Sequence, residues 1–352
     1  MLNYILKRIL LIFPTLLFII IINFAIVQLA PGGPVEMTLA SIRDLQQSES
    51  VNGRVSAVKQ FKASKGLDDE LVTYIKKLYG FDKPPHQRLW IMIKNYLSFD
   101  LGHSYFHNKQ VGDLILEKIP ISLSLGLWST LIIYLVSIPL GIKKAMKNGE
   151  AFDGWTSFII AFAYALPSFL VAIILLLLFA GDGPFSYFPI RGIISHNWDS
   201  LSAIGKVKDY AWHMVLPTLT LAIAGFATIT MLTKNSFLEE IHKQYVITAR
   251  AKGLSENQIL YGHVFRNAML IVITSIPDAL IKVFITGSLL IEIIFSLDGI
   301  GLLSYESAVG RDYPVVFGAL YIFTLIGLIA NLLTDIAYMI VDPRIDFERR
   351  GG

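Results

Sequence analysis

The sequence has no cysteine in 352 residues, and only 16% of its side chains are charged. The first absence excludes a disulfide scaffold and any cysteine-ligated metal centre. The second falls well below the about 25% charge of an ordinary soluble domain. Two chemical signatures are missing as well. No GxxxxGK[ST] stretch occurs, so the chain has no phosphate loop whose backbone amides and lysine would hold a nucleotide, and any ATP used on its behalf must be hydrolysed elsewhere. No HExxH occurs, and Ser288, after Gly287, has no histidine partner in its own apolar run, which leaves intramembrane proteolysis without a base. A net charge of +3 gives no reason to invoke nucleic acid.

What the chain does have is apolar sequence, 54% of it. Six segments approach the roughly 20 apolar residues that cross about 30 Å of hydrocarbon. They run from Ile9 to Ala30, Leu123 to Ile142, Ser157 to Ala180, Met214 to Thr233, Ala268 to Phe295 and Val315 to Val341. Backbone in lipid must satisfy its own polar groups, and none of these runs alternates like a barrel strand, so an all-α integral membrane protein is expected. The first run follows Lys7 and Arg8 as a signal peptide would, but it is too long and has Gln28 where a cleavage site needs a small residue; an uncleaved anchor is expected.

Orientation follows from the short connections. Lys7, Arg8, Lys143, Lys144, Lys147, Lys234, Lys243, Arg250, Lys252, Arg266, Arg344, Arg349 and Arg350 fall on one side if the spans alternate, against Arg191, Lys206, Lys208 and Arg311 opposite. The positive-inside rule then predicts both termini in the cytoplasm. The expected organisation is a first span over 1–30, an extracytoplasmic cap over 31–120, a five-span core over 121–341 with a cytoplasmic loop at 234–267, and a tail over 342–352. Within the cap, Gln46 to Lys65 is polar, whereas Leu71 to Leu78 and Leu89 to Leu97 have the spacing of two short helices lying over the membrane. His103 and His107 are four apart, as two metal ligands on one helix face would be, but Gly102 and Asn108 favour a solvated loop. Phe295 to Tyr313 reads as an outer loop carrying Asp298, Gly299, Gly301, Glu306, Arg311 and Asp312.

The loop from Tyr245 to Asn267, YVITARAKGLSENQILYGHVFRN, has its own grammar. Leu238 to Lys252 is rich in helix formers, Gly253 suits a helix end with positive φ, and Ser255 to Gln258 has the spacing of a capping box. The prediction is helix, glycine turn, helix. Ala249 and Ala251 leave little bulk before the turn, so the elbow could seat in a groove of another protein while Arg250 and Lys252 meet an acidic rim. The alternative is an amphipathic helix resting on anionic membrane lipid.

Charges in the spans are further candidates. Asp278 and Lys282 are four apart near the middle of the fifth run, where each alone costs roughly 2.5–3.5 kcal/mol on an insertion scale. They form either a local ion pair or part of a translocation path. Glu292, Asn331 and Asp335 pose the same question, with Glu292 expected near the outer end of its helix, within reach of water. Pro139, Pro167, Pro217 and Pro277 loosen helical turns, and Gly225, Gly287, Gly318 and Gly327 permit close helix contact.

The loop resembles the cytoplasmic motif of binding-protein-dependent ABC importer permeases of the oligopeptide and dipeptide group, in which ARAKGL is followed by a helix and HVFRNA. Ile247 replaces a glutamate common in the wider family, and Phe265 with Arg266 replaces a leucine-proline pair; both departures are usual in the peptide branch. The opening KRILLIFPTLLFIIIINFAIVQLAPGGPVE, the segment WHMVLPTLTLAIAGFATITMLTKNSF, and GSLLIEIIFSLDGIGLLSYESAVGRDYPVVFGALYIFTLIGLIANLLTDIAYMIVDPRIDFE extend the likeness over nearly the whole chain. Pro31 to Pro34 read PGGP where family members more often carry PGDP, which points to the Yej type.

The resemblance implies a six-span type I importer permease of the MetI-like fold in the bacterial inner membrane, a non-catalytic subunit passing oligopeptides and, in bacteria that meet it, microcin C. It implies as partners a second homologous permease, ABC ATPase subunits carrying ATP and Mg, and an extracytoplasmic peptide-binding protein, with no cofactor on this chain. Tyr245, Thr248, Ala249, Arg250, Ala251, Lys252, Gly253, Leu254 and Ser255 become the ATPase-coupling residues, and Asp278, Lys282 and Glu292 the candidates for the path. A rival class is an ion-gradient transporter using Asp278, Glu292 and Asp335 as proton carriers.

Overall fold

The computed structural model describes residues 2–29, 83–107, 109–181, 183–276, 279 and 289–341. Asp278, Lys282, Pro277 and the segment Leu71 to Leu78 lie outside the described residues, as do Pro31 to Pro34 and the tail.

All the regular elements described are helical. In chain order they are α1 (Leu2–Leu29), α2 (Pro85–Leu97), α3 (Val111–Met146), α4 (Ala151–Ala165), α5 (Ser168–Phe179), α6 (Ala203–Ile241), α7 (Gln244–Ala251), α8 (Glu256–Ile259), a π turn (Leu260–Val264), α9 (Phe265–Thr274), α10 (Leu289–Phe295), α11 (Ile300–Gly310) and α12 (Tyr313–Val341). Helices α1, α3, α6 and α12 contain stretches long and apolar enough to cross a membrane by themselves. The described residues therefore show four such helices and one bent pair, against the six expected spans; the fifth expected run is only partly described.

The expected span from Ser157 to Ala180 is a bent pair, broken where Pro167 was expected to loosen a turn. Helices α4 and α5 meet at 98° across Leu166 and Pro167. The break itself is local: the ring of Pro167 crowds the residue before it, and Leu166 is extended at φ −80°, ψ 126°. A correction concerns Phe295 to Tyr313, which is not a plain loop. It contains α11, bracketed by Ser296 and Arg311, both in the left-handed region at φ 51° and 58°.

Contacts divide the chain into two compact units. One comprises Met1–Arg8, Glu117–Tyr305 and Ile326–Gly352. Here α3 and α6 cross closely because each presents a glycine: a Cβ on Gly141 would stand 2.6 Å from Thr233 Cβ, and one on Gly225 2.4 Å from Ile133 Cδ1. Buried threonines on α6 return their hydroxyls to their own helix, Thr218 to Met214 O at 2.6 Å and Thr233 to Ile229 O at 2.8 Å, so polar side chains enter the apolar core satisfied. Ser236 donates to Ala268 O at 2.6 Å, tying α6 to α9.

The other unit comprises Ile9–Leu116 and Glu306–Leu325. The expected helix over Leu89 to Leu97 is present as α2, and its Tyr96 packs edge-on against Tyr321 of α12 with ring centroids 5.1 Å apart. Asp312 is buried at the start of α12 and accepts from Ser104 Oγ and from Tyr105 N, the latter at 3.2 Å. His103 pairs with Gln110 in an isolated bridge and His107 lies in a turn, so the two histidines do not share a helix face.

Candidate functional site

The polar loop folds as its grammar predicts. α6 ends at Ile241, Lys243 is extended, and α7 runs to Ala251. Gly253 has φ +83°, and its amide donates to Arg250 O at 3.0 Å. An added Cβ there would meet nothing within 4 Å, so glycine is needed for its backbone angle rather than for space. Ser255 and Gln258 form the capping box, with Ser255 N donating to Gln258 Oε1 at 2.9 Å.

Two side-chain groupings brace this elbow. Arg250 grips Glu256 with a two-pronged pair, Nε to Oε1 at 2.7 Å and a terminal nitrogen to Oε2 at 2.9 Å, closing the glycine turn from outside. The pairing raises the guanidinium pKa and lowers that of the Glu256 carboxyl. At the entry, Glu240 accepts from Lys243 and from Tyr245 Oη, the latter at 2.7 Å. Burial, then the neighbouring Glu240, raises the Tyr245 phenol above its ordinary value.

The nine loop residues do not share one surface. Thr248, Arg250, Ala251, Lys252, Gly253 and Ser255 are exposed, whereas Ala249 is buried and Tyr245 and Leu254 are half-buried. The expectation that Ala249 keeps the outer face of the elbow free of bulk is corrected: its small side chain serves internal packing. With Val246, Ile259, Leu260, Val264 and Ala268 it joins the apolar cluster formed by Ile142 and Ala145 of α3 and Ile229 and Phe237 of α6. The elbow thus shares its core with two membrane helices. The π turn, which sequence periodicity does not reveal, sits where the second arm of the elbow becomes α9.

Close by in the same unit, a buried ionic staple joins three helices. Lys144 of α3 has no exposed surface and donates to Asp153 O at 2.9 Å, Thr156 Oγ1 at 2.8 Å and Ser157 Oγ at 2.7 Å on α4, with Asp153 Oδ1 also at 2.9 Å. Lys234 of α6 reaches both Asp153 oxygens, at 2.8 and 2.7 Å. Lys144 and Lys234 looked like ordinary positive-inside residues; their burial depends on a partner 81 positions from Lys234 and is invisible to local patterning.

Glu292 requires another correction. It was expected within reach of water but is 0% exposed. Its carboxylate accepts from Ser122 Oγ at 2.7 Å and Leu302 N at 2.8 Å, while Ser122 Oγ accepts from Ile300 N at 2.9 Å. A Cβ on Gly299 would stand 2.5 Å from the Glu292 carboxyl, and one on Gly301 2.9 Å, so both glycines make room for it. Glu292 caps the first turn of α11 through space. Asp335, the other described proton-carrier candidate, pairs with Arg8 at 3.0 Å. Replacing Glu292 with alanine leaves the Leu302 amide and the Ser122 hydroxyl without their acceptor, an expected loss of about 1–3 kcal/mol for each buried group. Thermal unfolding of the purified chain reads it, with Glu292→Gln falling between the variants because its amide oxygen still accepts.

Comparison with known proteins places these features in context. The family model described as "Binding-protein-dependent transport system inner membrane component" matches residues 137–347, which include the staple, the elbow and Glu292. The chain is 53% identical over 362 residues to "Inner membrane ABC transporter permease protein YejB" of Escherichia coli O157:H7, covering 99% of both chains. It is 53% identical over 361 residues to "Peptidoglycan transport system permease protein YejB" of Agrobacterium fabrum (strain C58), again covering 99% of both. To "Oligopeptide transport system permease protein AppB" of Bacillus subtilis (strain 168) it is 34% identical over 346 residues, covering 98% of this chain and 99% of the relative. A family model matched over more than half of the chain, together with full-length likeness to these permeases, shows that the chain belongs to the binding-protein-dependent ABC transporter permeases, within the Yej-type peptide branch.

Proposed function

We propose that the chain is one of two homologous membrane subunits of an ATP-driven peptide importer, and that ABC ATPase subunits move it through the Gly253 elbow. The observation that carries this reading is the shared core: Val246 and Ala249 of α7 are buried with Ile142 of α3 and Phe237 of α6. Close packing transmits displacement with little slack. A partner that grips the exposed tip from Arg250 to Ser255 therefore pushes on two membrane helices at once. ATP and Mg bind on the partner, ATP closes the two ATPase subunits, and the elbow turns the cavity from inward to outward facing so that peptide enters. Hydrolysis resets it.

In this reading both termini and the elbow are cytoplasmic, in keeping with the basic residues of the short connections. An extracytoplasmic binding protein delivers the substrate. The relatives' names speak of oligopeptide and of peptidoglycan transport, and their common chemistry is a short peptide, free or carried on a larger fragment. Microcin C, a peptide-nucleotide, fits the same class. The rival use of Glu292 and Asp335 as proton carriers finds no support: one is held by Ser122 and the Leu302 amide, the other pairs with Arg8.

Transport by vesicles holding the assembled complex tests the proposal. Uptake of a labelled oligopeptide should require ATP and persist when an uncoupler collapses the ion gradient. Uptake that ignores ATP and dies with the gradient overturns it.

A further inference from the structure

Helix α2 is apolar on two faces. Leu89, Met92, Ile93 and Tyr96 recur at helical spacing on the half-buried to buried side, which Tyr96 anchors against Tyr321. The opposite side carries Trp90 at 69% exposure, Ile91 at 39% and Leu97 at 56%, whereas Phe99, just beyond the helix, turns back to Tyr321 with ring centroids 6.4 Å apart. Among the described residues this second face has no cover. A short helix that shows tryptophan and aliphatic side chains outward beside basic ones has the make-up of a helix lying against lipid.

Charge decides the occupant. Within α2 and its lead-in the chain holds Lys83, His86, Arg88 and Lys94, and the nearest acids, Asp82 and Asp100, stand at the two ends of the stretch. Lys94 is exposed between Trp90 and Leu97, where a long side chain can lie along lipid and lift its ammonium to the headgroups. Depth agrees with this. Tyr321 is eight residues along α12 from Tyr313, about 12 Å at 1.5 Å per residue, so α2 docks within the first third of a membrane helix and not beyond its end. Exposed tryptophan, isoleucine and leucine with an interspersed lysine are the composition of an interfacial helix.

We infer that the Trp90, Ile91 and Leu97 face of α2 is a membrane-binding surface that lies in the headgroup region of anionic phospholipid, with Lys94 meeting the lipid phosphates. The helix is pinned between Tyr321 on one side and lipid on the other, which fixes the segment leading into α3. The inference needs only the membrane embedding of the chain, and would survive a failure of the ATP-coupling proposal.

The absence of native cysteine makes the test clean. The full chain, with whatever subunits copurify, is spin-labelled singly at Trp90→Cys, Leu97→Cys or the control Asn148→Cys, in the exposed turn between α3 and α4, and placed in nanodiscs of phosphatidylethanolamine with phosphatidylglycerol. Labels at 90 and 97 should collide more often with oxygen, which concentrates in lipid, than with an aqueous nickel chelate, and the ratio should invert at 148. Lys94→Glu should lower the ratio at 97 in these discs and leave it unchanged in discs of phosphatidylcholine alone. Preference for the nickel chelate at 90 and 97 overturns the inference, as does protection from both reagents, which would mean that protein covers the face. A ratio insensitive to lipid charge and to Lys94→Glu overturns the anionic assignment.

Discussion

Replacing Gly253 with proline is expected to abolish ATP-driven peptide uptake while the chain still reaches the membrane in normal amount. Proline fixes φ near −65°, whereas residue 253 has φ +83°, so the elbow cannot close with the substituted backbone. Proline also removes the amide that donates to Arg250 O at 3.0 Å. The two arms must swing apart, and the Arg250–Glu256 fork, which spans the turn, breaks with them. The break starts at an exposed turn and loosens the packing of the two arms on α3 and α6, while insertion, which the apolar spans decide, persists; coupling is what is lost. Side-chain volume is not the issue, because a Cβ at 253 meets nothing within 4 Å. Gly253→Asn, which tolerates the left-handed region, should therefore keep most of the uptake. Gly253→Ala, strained by about 1–2 kcal/mol, should fall between. Uptake by vesicles, normalised to the amount of membrane-inserted chain, ranks the three. Wild-type uptake by the proline variant would rule out the elbow as the point of drive.

How far these features could be read from sequence depends on the range of the interaction behind each. Gly253 and the Ser255–Gln258 box were legible because a helix end and a capping box are settled within four residues. Helices α1, α3, α6 and α12 were legible as well, since apolar length alone marks a span. The bend at Leu166 was half legible: Pro167 gives the break, but a 98° angle depends on what the arms pack against. α11 was misread because its first amides are satisfied by Ser122 and Glu292, which lie far off or on another helix, so no local cap announces it. Ala249 was read as an outer residue for a related reason. The direction in which α7 turns its small side chains is fixed by Ile142 and Phe237, on helices remote in the chain.

The staple is where that distinction has its largest energetic consequence. Asp153 is the carboxylate shared by Lys144 and Lys234, and the two lysines depend on it unequally. Lys144 keeps the hydroxyls of Thr156 and Ser157 and a backbone carbonyl if the carboxylate is removed; the hydrogen bonds of Lys234 go to the two Asp153 oxygens. Breaking a buried ion pair by deleting one partner costs about 3–5 kcal/mol, because a buried charge is left without compensation. Asp153→Ala is therefore expected to destabilise the chain by that amount, read as earlier thermal unfolding in detergent and as loss of the chain from the membrane. Lys234→Met in the same background removes the stranded charge and should recover much of the loss, whereas Lys144→Met should recover less because Lys144 is otherwise satisfied. Equal rescue by both would mean that the lysines share the carboxylate evenly, and no destabilisation by Asp153→Ala would mean that water reaches the cluster. A stable double variant Asp153→Ala/Lys234→Met also separates support from coupling. If the staple makes the ends of α3, α4 and α6 move as one body beside the elbow, that variant should fold yet hydrolyse ATP in its complex with poor transport per ATP.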